Sequence, residues 1–228
     1  MNIPNTIFQT WKTDQIPDYF QTFADSWKNH QPNYDFQLWS DEMNETFISE
    51  NYADFLPIYK SYPHNIQRAD AIRYFLLYHF GGIYVDLDIL SLKNINPLIE
   101  DLDCFFGIES TAHNAIYNTP MIASNALMGC VKNHAFFEKI LEELYQQNIH
   151  SNDQNQLVLH STGPFMLNRV LNKYPAPDVV LIDPKFVSPL SYLEAETFVK
   201  DNFVGMSSQL ASAYCIHLHW GSWWKSQS

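Results

Sequence analysis

Residues 65–92, NIQRADAIRYFLLYHFGGIYVDLDILSL, decide how the rest of the chain is read. Apolar residues occur nearly all round the first half, from about Asn65 to His79, which marks a buried helix rather than an amphipathic surface one. Gly81-Gly82 then breaks the helix, and Ile83, Val85 and Leu87 alternate with Tyr84, Asp86 and Asp88 as on a strand. A strand that ends in carboxylates after a helix and a glycine turn is the pattern of an α/β sheet, whose ligands sit at the carboxyl ends of its strands. The face carrying Tyr84, Asp86 and Asp88 is the candidate active site.

Spacing alone does not select that pair, because about three acidic-x-acidic pairs are expected from this composition. The chain holds three, Asp86/Asp88, Asp101/Asp103 and Glu194/Glu196. Only the first closes a strongly apolar strand, and the other two read as solvated charges. Within the helix, Asp70 and Arg73 are three apart on one face, and charges in an apolar helix need partners or a function. They read either as an intrahelical ion pair or as part of the site.

The bounds agree with one globular unit. The chain has 228 residues, 46% of them hydrophobic, with 7 Gly and 12 Pro, enough for one substantial core and a single domain over residues 1–228. The net charge of −12, with only 13 Lys and Arg, excludes the electrostatic footprint of a nucleic-acid binder. It also disfavours binding to anionic membranes by charge alone. MNIPNTIFQTWK has no secretory pattern, and no apolar run reaches the roughly 18 residues of a membrane span, so the expectation is a soluble cytoplasmic protein. Cys104, Cys130 and Cys215 are odd in number and flanked by apolar residues, as reduced core thiols are.

Outward from the centre, Thr6 to Lys12 reads as an opening strand with Trp11 near its end. Pro17 to Asn29 reads as a helix with a core stripe of Phe20, Phe23, Ala24 and Trp27. Phe36 to Trp39 is a short strand, and Ser40 caps a helical segment that Pro57 breaks before Ser61. Beyond the central strand, Cys104 to Ile108 is a strand and residues 110–120 a loop. Met121 to Cys130 is apolar around Ser124-Asn125, and His134 to Gln147 is an amphipathic helix. Residues 148–155 are a polar loop, Thr162-Gly163-Pro164 opens a helix through Lys173, and Val179 to Ile182 suits an inner strand. Residues 183–212 show no clear period. Tyr214 to Trp220 reads as the last strand, with His217 and His219 on one face.

Arg68-Ala69-Asp70, Arg73-Tyr74, Gly81-Gly82-Ile83-Tyr84 and Asp86-Leu87-Asp88 together resemble the DXD-containing sugar transferases related to yeast initiating mannosyltransferases. That group includes bacterial capsule and lipopolysaccharide transferases and, more distantly, the glucosylating domains of clostridial toxins. The resemblance extends to IPNTIFQTWKT at 3–13, NYDFQLWSD at 33–41 and HWGSWW at 219–224, and so covers nearly the whole chain. It implies a GT-A-like α/β/α domain with a mostly parallel mixed sheet. The implied activity is metal-dependent, retaining transfer of a hexose from a UDP- or GDP-linked sugar to a glycan or lipid-linked acceptor, in bacterial surface-polysaccharide synthesis.

The resemblance also implies roles for individual residues. Trp11 would stack on the base, with Tyr84 and Asn125 on the donor. Asp70 would contact ribose or sugar hydroxyls, Arg73 the donor sugar, and these two with Asp86 form the catalytic set. Asp88 and His219 would hold the metal with Asp86 bridging, His217 being the alternative histidine. Ser222 and Trp224 would contact the phosphates. Imidazole beside two carboxylates favours Mn²⁺ over Mg²⁺. Trp223, Trp224 and Lys225 are read either as peripheral membrane contacts to a lipid-linked acceptor or as packed residues.

Three rival readings stand beside this one. A metal-dependent phosphodiester or nucleotide-sugar hydrolase would also use Asp86 and Asp88. A glycosidase needs carboxyls roughly 5 to 9 Å apart across a scissile bond, usually from different strands, which neighbours on one strand do not suit. A carbohydrate-binding module is consistent with 15% aromatic residues but leaves Asp70 and Arg73 unexplained.

Overall fold

The computed structural model describes residues 2–146 and 149–221. The chain begins with β1 (Thr6–Thr10), α1 (Asp18–His30), β2 (Asp35–Trp39), α2 (Asp41–Asn51), α3 (Leu56–Ser61), α4 (Asn65–Phe80), β3 (Gly82–Val85) and β4 (Ile89–Ser91). Its middle holds α5 (Asn96–Ile99), β5 (Cys104–Ile108), α6 (Thr111–Ile116), β6 (Ala123–Cys130), α7 (Ala135–Tyr145), α8 (Gln154–Ser161) and α9 (Pro164–Lys173). It ends in β7 (Val179–Ile182), α10 (Pro184–Val187), α11 (Tyr192–Lys200), α12 (Ser207–Leu210) and β8 (Cys215–His217).

Six strands form one sheet in the order β2-β1-β3-β6-β5-β7. Only β6 is reversed; β1, β2, β3, β5 and β7 all run the same way. β4 and β8 form a separate antiparallel pair with Ile89 opposite His217. One face of the large sheet packs Phe8, Tyr84, Phe106 and Met128 against α4, α7 and α9. The other packs Ile7, Ile83, Val85 and Phe105 against Trp27 of α1 and the β4–β8 pair. The layers are those of the expected α/β/α sandwich with a mostly parallel sheet.

α4 runs through the middle of the first core, and Ala71 through Leu77 are all buried. A reciprocal cap opens it: the His64 side chain accepts from the Gln67 backbone, and the Gln67 side chain accepts from His64 N–H at 3.2 Å. Gly81, at φ +70, closes it by donating to Leu77 O at 2.8 Å. Gly82 follows at φ +114, where a Cβ would lie 2.8 Å from Thr6 O in β1. Both glycines are needed because the chain must leave a buried helix and enter the sheet directly beside β1.

Several expectations change. β3 ends at Val85, so Asp86 and Asp88 lie in a tight turn closed by Ile89 N–H donating to Asp86 O at 3.1 Å, not on a strand. Residues 111–116 are helical rather than loop, because Ser110 Oγ accepts from His113 N–H and caps a turn too short to show apolar periodicity. Within 183–212, α11 is opened by a Ser191/Glu194 capping box; only Ala195 and Phe198 of it are buried, too few to make a readable stripe. β7 is an edge strand with Val180 39% exposed, since nothing pairs on its far side among the described residues. The three cysteines are free and buried, as expected.

The glycine turn gives a stability prediction. Gly82→Ala adds a backbone clash to an unfavourable φ, whereas Gly205→Ala, at φ +99 with nothing within 4 Å of its Cβ, adds only the φ term. Urea denaturation should show a loss of about 1 to 3 kcal/mol for Gly205→Ala and clearly more for Gly82→Ala. Equal losses would mean the approach to β1 is not tight.

Candidate active site

Because β1, β3 and β5 run parallel, their carboxyl ends meet at one edge, and the start of the reversed β6 meets them there. Thr10 and Trp11, Asp86, Glu109, and Ser124-Asn125 therefore share that edge, as α/β ligand sites require. Asp86 N–H donates to Ala126 O at 2.8 Å, extending the β3–β6 ladder by one residue. Leu87 then turns away into a cluster with Phe20, Phe23, Leu190 and Ile216. Its burial fixes the turn that leaves the two aspartates facing the cleft.

Each carboxylate is held by neighbours from distant parts of the chain. Tyr84 OH donates to Asp86 Oδ1 at 2.8 Å, and Thr10 Oγ1, 2.9 Å from the same phenol oxygen, donates to it in turn. Asp88 Oδ2 accepts from Trp220 N–H at 2.8 Å, while its carbonyl accepts from Leu218 N–H at 3.0 Å. The β4–β8 register brings His217 Nε2 to 3.6 Å from Asp88 Oδ1.

Asp70 and Arg73 form their intrahelical pair, Nη2 to Oδ1 at 3.1 Å, but the pair is one edge of a larger network. Arg73 Nη1 lies 3.3 Å from both Asp86 oxygens, donates to Asn125 O at 2.8 Å, and its guanidinium stacks 4.5 Å over the Tyr84 ring. Asp70 Oδ1 also accepts from Asn125 Nδ2 at 2.9 Å, and Oδ2 from Thr162 Oγ1 at 3.1 Å. Asp70 and Arg73 are only 5% and 3% exposed. The helix charges are thus the inner wall of the cleft, joined to the DXD turn through Arg73. Arg68, by contrast, donates to Tyr62 O at 2.7 Å and pairs with Asn65, a structural position.

Asp86, Asp88 and His217 place one ligand atom each within 4.8 Å of one another. His219, the histidine expected to join Asp88, does not belong to this set. It lies past the end of β8 at φ +49, and its Nε2 faces Glu109 Oε2 at 3.7 Å, grouped with His113. Period-two alternation does not hold beyond the end of a three-residue strand, so His217 and His219 face different partners. Glu109 Oε1 sits 3.4 Å from His217 Nδ1, leaving Nε2 of the same ring toward Asp88. A carboxylate behind a histidine in this way sets which ring nitrogen is free to bind a metal.

Burial and charge compete at every group. Burial pushes Asp70 up to about 6 against the opposing charge of Arg73. Burial also raises Asp86, with Arg73 opposing and Asp88 adding to the rise. Burial would raise Asp88 and Glu109 too, but His217 between them outweighs it and holds both below the usual carboxylate range. His217, flanked by those two carboxylates, is raised despite its burial. Four buried or half-buried carboxylates, Asp70, Asp86, Asp88 and Glu109, thus face Arg73 and His217. The excess negative charge and the two-carboxylate, one-imidazole set at Asp86, Asp88 and His217 fit a divalent cation.

Of the other expected residues, Trp11 is half-buried at the end of β1, edge-on to Phe20 at 5.4 Å, with its ring on the rim of the same edge. Tyr84 is fully buried and acts on Asp86, and Asn125 binds Asp70 and Arg73. Ser222 and Trp224, with Trp223 and Lys225, lie outside the described residues. Glu109 and His113 escaped the sequence reading, and Thr162, expected at the opening of a helix, also binds Asp70. Glu109 carried a usable signal, the first carboxylate after an apolar strand, which is the same signal that singled out Asp86.

Residues 17–104 match the family described as the glycosyltransferase sugar-binding region containing a DXD motif. Among curated proteins, inositol phosphoceramide mannosyltransferase 2 of Schizosaccharomyces pombe is 38% identical over 75% of this chain and 47% of its own length. The mannosyl phosphorylinositol ceramide synthase CSH1 of Saccharomyces cerevisiae is 37% identical over 75% of this chain and 43% of its own. An uncharacterized glycosyltransferase, L373, of Acanthamoeba polyphaga mimivirus is 27% identical over 97% of this chain and 84% of its own. The chain spans about half the length of the yeast relatives it matches. Among solved structures, the PaToxG glycosyltransferase superposes with a TM-score of 0.54 at 18% identity, over 92% of this chain and 79% of that one. The ligand-free glycosyltransferase domain of the YGT toxin superposes at 0.53 and 10% identity, over 91% and 88%. The GT-A fold and the resemblance to DXD-containing sugar transferases are borne out. The relatives named above are yeast and viral proteins, and they lend no support to a bacterial surface-polysaccharide role.

Arg73→Met leaves Asp70 and Asp86 buried without their cation and should cost about 3 to 5 kcal/mol in urea denaturation; a loss under 1 kcal/mol would mean that the cleft is wetter than described. Asp70 binds its proton more tightly folded than unfolded, so its contribution is full below its ordinary value of 3.8 and lost as pH rises through about 6. In metal-free protein, Asp70→Asn should therefore gain on wild type between pH 4 and 6, by at most about 1.4 kcal/mol per pH unit. Parallel pH profiles for the two proteins would contradict the raised carboxyl.

Proposed function

We propose that this chain, which carries the DXD-containing sugar-binding region of glycosyltransferases, transfers a hexose from a nucleotide-diphosphate sugar to a hydroxyl group of a glycan or lipid-linked acceptor. The observation that carries the reading is the convergence of Asp86, Asp88 and His217 at the carboxyl edge of a GT-A sheet. Mannose is the favoured hexose, and a polar lipid headgroup the favoured acceptor. Five relatives at 35 to 38% identity are named for mannosyl transfer or synthesis, with inositol phosphoceramides in their names.

Asp86, Asp88 and His217 would hold a divalent cation, with Mn²⁺ favoured by the imidazole. Bound there, it supplies Lewis-acid stabilisation of the charge that develops on the departing nucleoside diphosphate. The chain's own residues do the positioning. Tyr84, braced by Thr10, fixes Asp86, and Trp220 N–H fixes Asp88. Arg73 presents a cation to the donor sugar from the wall of the cleft, and Trp11 offers a ring to the base at the rim.

A retaining course is the simpler one. Both oxygens of Asp70 are already engaged by Arg73, Asn125 and Thr162, so the carboxylate nearest the cleft wall is not a free nucleophile. The acceptor oxygen would then bond to the anomeric carbon on the face the diphosphate leaves. The bond from that carbon to the phosphate oxygen breaks, and the acceptor's proton passes to the departing phosphate oxygen.

A thermal-shift panel of UDP, GDP and their sugars, with and without Mn²⁺ or Mg²⁺, tests the reading on wild type and Asp88→Asn. A native-state ligand at a hundredfold excess over Kd adds about 2.7 kcal/mol. We expect a metal-dependent shift with one nucleotide class that Asp88→Asn abolishes, and an α-linked product from an α-linked donor. Stabilisation by free glycans with none from nucleotides would favour a binding module. Release of free sugar with no acceptor product would favour a hydrolase.

A further inference from the structure

Beside the DXD turn lies a second set of ligand-type side chains, of which Glu109 also faces His217 of the first set. Glu109 follows β5, His113 sits on α6 and His219 follows β8, yet one ligand atom from each lies within 4.8 Å of the others. Glu109 is 5% and His219 8% exposed. Their surroundings leave two imidazole nitrogens, His113 Nδ1 and His219 Nε2, buried with no hydrogen-bond partner. A buried polar atom without a partner is costly, and two on adjacent rings around one carboxylate call for a common ligand.

We propose that Glu109, His113 and His219 form a second divalent transition-metal site, separate from Asp86, Asp88 and His217. The spacing favours a cation over a direct hydrogen bond. His219 Nε2 and Glu109 Oε2 are 3.7 Å apart, too far for a hydrogen bond. Two ligands bound tetrahedrally at about 2.0 to 2.1 Å lie roughly 3.3 Å apart, so a small closure of the side chains completes the site. The His113 and His219 rings are stacked 13° from parallel with centroids 4.9 Å apart, so two rings from different elements are already held side by side. Two imidazoles and one carboxylate suit Zn²⁺ or Co²⁺ rather than Mg²⁺ or Ca²⁺, with a fourth position left for water.

Glu109 then serves both centres. Its Oε1 faces His217 Nδ1 at 3.4 Å, and its Oε2 faces His219. Ser188 Oγ donates to Oε2 at 3.3 Å, and the Glu109 carbonyl accepts from Asn114 Nδ2. A cation here would clamp α6 to the segment after β8, whose Trp220 N–H holds Asp88. The site rests on geometry that is independent of the sugar-transfer reading.

The test is metal stoichiometry and Co²⁺ absorption on untagged, metal-stripped full chain. Asp88→Asn, which disables the first site, should still bind one Co²⁺ with the intense visible bands of a low-coordinate histidine site. Adding His113→Ala should remove that ion or weaken it at least tenfold. His113→Gln, which keeps a polar side chain on α6, should do the same, with an unchanged urea transition showing that the fold is intact. The proposal is overturned if Asp88→Asn binds no Co²⁺, or if the double variants bind as Asp88→Asn does. Failure of nucleotide binding in the panel above would leave the Co²⁺ result unaffected, so the two readings fail separately.

Discussion

Arg73 is nearly closed off from water, and a guanidinium cannot shed its charge to escape burial. Its surroundings must therefore supply compensating charge and acceptors, and they do so with four groups from three places in the chain. Asp70 comes from its own helix, Asp86 from the DXD turn, the Asn125 carbonyl from the reversed strand and the Ala69 carbonyl from the turn beneath. The planar fork of the side chain can reach several of these at once, which a lysine could not. Helix α4, β3 and β6 are thereby held in one relative position at the floor of the cleft.

That arrangement depends on sheet order. With β6 antiparallel between β3 and β5, its first residues lie next to the last residues of both neighbours. Asn125 can then meet Arg73 while Glu109 meets His217 on the other side. The small β4–β8 pair completes the edge by bringing the end of the described chain back onto the DXD turn. Negative charge accumulates there because β3 and β5 are followed by Asp86, Asp88 and Glu109 while α4 adds Asp70, and the protein offsets it with Arg73 and His217. That donor set fits a divalent cation.

The elements with dense local signals were legible. The all-round apolar α4, its Gly-Gly exit, the strand of the DXD segment and the Ser40 cap could be read because each depends on neighbours within a few positions. α6 and α11 were not, since short helices held by one cap and one or two buried residues leave no period. Their caps, Ser110 and Ser191-x-x-Glu194, were nonetheless written in the chain. The edge position of β7 could not be read at all, because a β-branched run looks the same whether or not a neighbour lies on its far side.

The candidate site divides in the same way. The sequence by itself put Tyr84, Asp86 and Asp88 in one segment and, through the family resemblance, joined Asp70 and Arg73 to them: the five lie within 19 consecutive residues, on one helix and the strand and turn that follow it. Helical spacing puts Asp70 and Arg73 on one face, while the turn after β3 directs Asp86 and Asp88. Only the tertiary structure decided that His217 rather than His219 accompanies the aspartates, and that Glu109 stands behind it. Those contacts rest on the register of β8 against β4 and on a left-handed residue past its end, and they join positions 108 and 129 apart. Strand register is a property of two segments at once, and neither segment's sequence contains it.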